Sequence, residues 1–222
     1  LANCISRCMK WTSSSRNAAS VTAGVYDFCV IINSTSNTSV SASSSSECRN
    51  SILKCTGTSY DGVTTGFAHN NCRIVGNASA SSGNRHGCSR GANLAVVLNE
   101  CTIINNVGHG VSTSSGTGAS NVISFCTITG NTGSGIAAGV GAQTVRSFIT
   151  NNLVVGNGGY GIDAESGAKV WLQNVRLRDN TSGNLAGFGN YSTDLGIETT
   201  DSDDATEFVD SGSGDYRIKS TA

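Results

Sequence analysis

One six-residue phrase recurs through this chain at a period near 25. The segments Cys72-Arg-Ile-Val-Gly-Asn77, Cys101-Thr-Ile-Ile-Asn-Asn106, Cys126-Thr-Ile-Thr-Gly-Asn131, Asn152-Leu-Val-Val-Gly-Asn157 and Val175-Arg-Leu-Arg-Asp-Asn180 align without gaps, their closing asparagines 29, 25, 26 and 23 residues apart. A second column runs Gly62-Val63, Gly87-Cys88, Gly110-Val111, Gly135-Ile136 and Gly161-Ile162, spaced by 25, 23, 25 and 26. A third holds Leu98, Ile123, Ile149 and Leu172, each three residues before its phrase. A fixed period of this size marks a chain built from stacked units that cannot bury their inner faces alone.

The chemistry of each column fits one coil of an all-β solenoid. Alternation within Cys126-Thr-Ile-Thr puts Cys126 and Ile128 on one face and Thr127 and Thr129 on the other. Stacking then buries Ile74, Ile103, Ile128, Val154 and Leu177 in one column, with Cys72, Cys101 and Cys126 beside it. The closing asparagines suit turns, because Asn tolerates left-handed backbone, and stacked amides can link successive coils in a ladder. The glycines are expected to let the chain bend sharply before the next strand. Helices do not fit an apolar spacing of two interrupted by Gly and β-branched residues.

These motifs resemble the pectate-lyase-like superfamily of right-handed parallel β-helices, over about residues 55–185. Asn131-Thr-Gly-Ser-Gly-Ile136 and Asn157-Gly-Gly-Tyr-Gly-Ile162 look like its generic repeat, and Phe208-Val-Asp through Ala222 looks like the element that closes the last coil. The resemblance implies a single right-handed parallel β-helix of about 25 residues per coil. Residues 1–54 would form an N-terminal cap and early irregular coils, 55–185 the regular coils, and 186–222 an acidic closing segment. Phe28-Cys-Val-Ile-Ile-Asn33 and Ser51-Ile-Leu-Lys-Cys55 are candidates for early coils. The fold leaves activity open, since one architecture hosts many functions.

Composition narrows the remaining classes. The chain has no proline and a net charge of −1, which argues against simple disorder. From Asp194 to Ala222 there are eight acids against two bases (net −6), leaving seven acids and twelve bases before it (net +5). That positive charge is too scattered for a nucleic-acid footprint. No apolar run approaches the ~20 residues of a membrane span. The first residue is Leu1 rather than Met, which suggests a processed product or a fragment. Of nine cysteines, only Cys4 and Cys8 form a close pair, with no matching second pair, so no metal is expected. Cys72, Cys101 and Cys126 read as stacked core thiols, and disulfides are expected instead among Cys4, Cys8, Cys29, Cys48 and Cys55.

Candidate chemistry is sparse. Asp61, His86, His109, Ser134 and Tyr160 precede the column glycines, a set too varied for a site and better suited to a turn. His69 replaces Leu98 and Ile123 in an inward column and reads as a partly buried edge residue. Asp163 and Glu165 lie two apart on one strand, ~6.6 Å, a separation inverting glycosidases use. They are the candidate catalytic acids, with Lys169 or Arg146 as conceivable partners for lyase chemistry. The equivalent positions on earlier coils are Thr64, Ser89, Ser112 and Ala137, so calcium, which wants six to eight oxygens, finds little there.

An outward strip of Val75, Ile104 and Val155, with Leu153 beside it, is apolar where a solvated sheet should be polar. Something is expected to cover it: a loop, the C-terminal tail, or another subunit, as in the trimers familiar among β-helical viral appendages and adhesins. Two readings stand. One is a non-enzymatic extracellular or virion surface module, structural or carbohydrate-binding; the other is a polysaccharide lyase or glycoside hydrolase.

Overall fold

The computed structural model describes strands between Ala2 and Ile218, together with the intervening turns and side chains of residues 25–30, 47–53, 68–75, 86–89, 95–113, 120–139, 146–164 and 168–187. Among the described residues there is no helix, and the strands fall into three parallel sheets. Each coil passes through sheets one, two and three in turn. Sheet one has nine strands, from Ala2–Arg7 to Tyr191–Thr193; sheet two has nine, from Lys10–Ser13 to Ile197–Glu198; sheet three has eight, from Ala19–Val21 to Gly183–Ala186. The chain is a parallel β-solenoid. The two early-coil candidates supply Val30–Asn33 and Ile52–Cys55 to sheet two, so residues before 55 enter the same sheets. Phe208–Asp210 and Asp215–Ile218 pair as an antiparallel hairpin after the last coil.

The repeat sets the register. Leu98, Ile123, Ile149 and Leu172 pair coil to coil in sheet one. Ile74, Ile103, Ile128, Val154 and Leu177 do so in sheet two, and Val111, Ile136 and Ile162 in sheet three. All are buried. Among the described residues, seven coils turn from sheet one into sheet two at a single left-handed residue: Phe28, Asn50, Asn71, Glu100, Phe125, Asn151 or Asn174, with φ between 48° and 55°.

The second corner differs from the expectation. The left-handed residues there are Asn105, Gly130, Gly156 and Asp179, one position before the closing asparagines. Those asparagines turn inward and build the ladder. Asn106 Nδ2 donates to Asn131 Oδ1 (2.8 Å), Asn131 to Asn157 (2.9 Å) and Asn157 to Asn180 (2.9 Å), all buried. Each Oδ1 also accepts the backbone N–H of the preceding rung. The column glycines Gly87, Gly110 and Gly135 are not left-handed; space, not bending, requires them. A Cβ at Gly135 would lie 2.3 Å from Val154 Cγ1 and 2.8 Å from the Gly161 carbonyl.

The outer faces are less uniform than alternation implies. On sheet three Ser112 is 0% and Ala137 1% exposed, so a column expected at the surface is covered. On sheet two Thr129, Val155 and Arg178 are also buried. Alternation decides which way a side chain points, not whether more chain lies above it.

Candidate functional site

The outer face of sheet one carries a stripe that remains open. Strands Ser120–Ser124, Arg146–Thr150 and Lys169–Gln173 keep strict alternation, burying Ile123, Ile149 and Leu172 and sending the preceding residue outward. In register, that outward column reads Ala68, Val97, Val122, Phe148, Trp171. Val122 and Phe148 are each 39% exposed, and the Phe148 and Trp171 rings stack at 4.9 Å and 14°. Ser120, Arg146 and Lys169 form an exposed, partly cationic column on one side of the stripe. Asn99, Ser124, Thr150 and Gln173 form a column of amides and hydroxyls on the other, with Ser124 Oγ bonded to Asn99 Oδ1 at 3.0 Å.

A third aromatic follows this face at the corner. Phe125 is 59% exposed at φ 54°, a position that four other coils give to Asn. A bulky side chain in left-handed backbone is costly, and such strain concentrates at functional positions. The stripe was legible in Arg146-Ser-Phe-Ile-Thr150 and Lys169-Val-Trp-Leu-Gln173, one residue before the inward column. It escapes a reading that follows the inward residues alone.

Of the two expected acids, the structure describes only one. Asp163 is half-buried on sheet three, in register with Ala137 and Ala186, and Glu165 lies outside the described residues. Arg146 and Lys169 belong to sheet one, a different sheet from Asp163. Val75, Ile104 and Leu153 are half-buried on the outside of sheet two. Val155, expected to be covered by a loop, the C-terminal tail or another subunit, is 0% exposed within this single chain.

His86 and His109 stack at 4.8 Å and 17°, and both serve the corner. His86 Nδ1 accepts the His109 backbone N–H (3.1 Å), and His109 Nδ1 accepts that of Ser134 (2.9 Å). Ser134 Oγ does the same for Tyr160 (3.2 Å). Burial, with His109 adding to it, lowers the His86 pKa to about 3, so this imidazole is the neutral acceptor the bond requires.

Inside the coils, Cys29, Cys48, Cys72, Cys88, Cys101 and Cys126 are buried thiols. The stacked-thiol expectation therefore holds for Cys72, Cys101 and Cys126. The expectation of disulfides is corrected for Cys29 and Cys48. Cys48 stacks between Tyr26 and His69 in sheet one, whereas Cys29 sits at the first corner and is bonded to Ser51, so the two occupy different columns. Cys4, Cys8 and Cys55 have side chains outside the described residues. His69 is fully buried, not an edge residue, because its column lies inside sheet one. Donor atoms of Cys48, His69 and Cys72 lie within 4.8 Å of one another, a grouping able to hold a metal.

Comparison with known families agrees with this architecture. The model of the right-handed beta helix region matches residues 14–182. No match is found among curated proteins. With three parallel sheets in register over the matched span, the chain belongs to the right-handed β-helix family.

Proposed function

We propose that this chain is a non-enzymatic binding module of an extracellular or virion surface, holding an extended acidic glycan along the outer face of sheet one. The observation that carries the reading is the stacked Phe148–Trp171 pair within an exposed apolar column. Sugar rings present flat C–H faces that stack on aromatic rings, and their hydroxyls need polar partners alongside. The column spans four coils from Val97 to Trp171, about 14 Å at ~4.8 Å per coil, the length of a few sugar units. Arg146 and Lys169 suit a carboxylated sugar through charge-assisted hydrogen bonds. The described carboxylates nearest the stripe, Glu47 in register with Ala68 and Glu100 beside Asn99, accept hydrogen bonds from Asn70 and Asn99 rather than standing across the Phe148–Trp171 pair.

Titration calorimetry against uronate-containing and neutral oligosaccharides tests this. Binding is expected for the acidic series, lost in Trp171→Ala and weakened in Arg146→Ala, with Asp163→Asn unchanged. Release of shortened product, abolished by Asp163→Asn, would replace the reading with a lyase or hydrolase. Concentration-dependent self-association removed by Trp171→Ala, without glycan binding, would make the stripe an interface between copies.

A further inference from the structure

The interior of the early coils is chemically unlike the rest. At the inward position of sheet one, later coils place Leu98, Ile123, Ile149 and Leu172, but three successive earlier coils place Tyr26, Cys48 and His69. At the adjoining corner the column reads Cys29, Ser51, Cys72, Cys101 and Cys126. Burying an imidazole, two thiols and a phenol together is costly unless they satisfy one another or a ligand. Tyr26 is 3% exposed and its hydroxyl has no hydrogen-bond partner.

We propose that Cys48, His69 and Cys72 form a buried zinc(II) site that supplies three protein ligands. The Cys48 and Cys72 sulfurs are 3.8 Å apart. Two thiolates at Zn–S ≈ 2.3 Å subtend about 3.8 Å across a tetrahedral centre, so no rearrangement of that pair is needed. The charge also closes: one dication, two thiolates and a neutral imidazole sum to zero, the condition for deep burial. Binding releases two thiol protons and changes no oxidation state. Copper(I) would suit the soft donors but leave the buried site with a net negative charge.

The register of the column fits as well: Tyr26 and His69 flank Cys48 on the coils either side of it. A surface groove bordered by Phe28, Asn71 and Arg73 includes Ser51 and Cys72 in its lining.

The test is to unfold the full chain under reducing conditions and refold it with zinc(II) alone, with copper(I) alone, or with neither. Bound metal is then counted after desalting, and cobalt(II) serves as a spectroscopic probe. Wild type should retain one zinc per chain, melt higher with zinc than without, and give thiolate-to-cobalt absorption. His69→Leu copies Leu98 of the same column, and Cys72→Ser copies Ser51, so both variants should fold. Each should lose more than about a hundredfold in affinity, beyond what a supporting residue is worth, and lose the zinc-dependent melting shift. Retention of no zinc by wild type, equal retention by His69→Leu, or retention of copper(I) only would overturn the assignment.

Discussion

Replacing Asn131 by Ala removes one rung from the buried amide ladder, and the cost follows from its bonds. Asn131 Oδ1 accepts from the Asn106 backbone N–H at 3.1 Å and from Asn106 Nδ2 at 2.8 Å; Nδ2 donates to Asn157 Oδ1 at 2.9 Å. In Asn131→Ala the Asn106 backbone N–H and Nδ2 both lose their bond to Asn131 Oδ1, while the side chain retains its longer contact to the Ile104 carbonyl. Asn157 Oδ1 still accepts the Asn131 backbone N–H. Two buried donors therefore lose their acceptor, at about 1–3 kcal/mol each, giving an expected loss of about 3–4 kcal/mol. That is a large share of the ~5–15 kcal/mol that stabilises a typical domain.

The internal control is Asn151→Gly. Asn174 Nδ2 donates to Asn151 Oδ1 at 3.1 Å in the same geometry, but on the exposed corner, and Gly keeps the left-handed backbone. Water replaces that bond, so a change below about 1 kcal/mol is expected. Urea unfolding followed by circular dichroism measures both losses. Hydrogen exchange at the Asn106 amide reports the site itself, because coils interact mainly with their neighbours. Equal losses in the two variants, or unchanged Asn106 protection in Asn131→Ala, would refute the claim that burial of the ladder is what stabilises the second corner.

Phe125→Asn should stabilise the chain by up to about 1 kcal/mol, because Asn tolerates positive φ and Phe does not; urea midpoints check this, and weaker glycan binding by the same variant would show what the strained aromatic is for. His86 sets a pH dependence whose sign is determined by its folded value of about 3 against 6.5 unfolded. Between those values the unfolded chain holds the extra proton, so stability is full above about 6.5 and falls as pH drops, by up to ~1.4 kcal/mol per unit. Denaturant midpoints from pH 7.5 to 4 in wild type and His86→Ser should differ in slope, since Ser134 shows that a hydroxyl can cap the same column without titrating. An identical slope would rule out His86 as its source.

The fold was legible because its determinants are local and repeated. Period 25 fixes which residues stack, alternation fixes which face inward, and the structure pairs Leu98, Ile123, Ile149 and Leu172 accordingly. The asparagine ladder was legible for the same reason, although the left-handed residue proved to be its neighbour. The glycine column could be read as a position but not as a cause, since the absence of room for a Cβ depends on Val154 and on the carbonyl of the next coil.

Site chemistry was legible only in part. Asp163 and Glu165 stood out as neighbours in sequence, with Glu165 outside the described residues; among the described side chains, Cys48, His69 and Cys72 gather in space, and separately Phe148 and Trp171. Cys48 stands 21 residues before His69, and Phe148 stands 23 before Trp171, so the register of sheet one is what joins these coils; His69 and Cys72, three residues apart on one coil, were the only local hint. Repetition of a short phrase was enough to determine a stacked β-helix, because every coil meets the same steric and hydrogen-bonding demands. Which outer columns are covered, as at Val155 and Ser112, and which stay open, as at Phe148, was decided by tertiary structure, because burial depends on chain from elsewhere passing over a face.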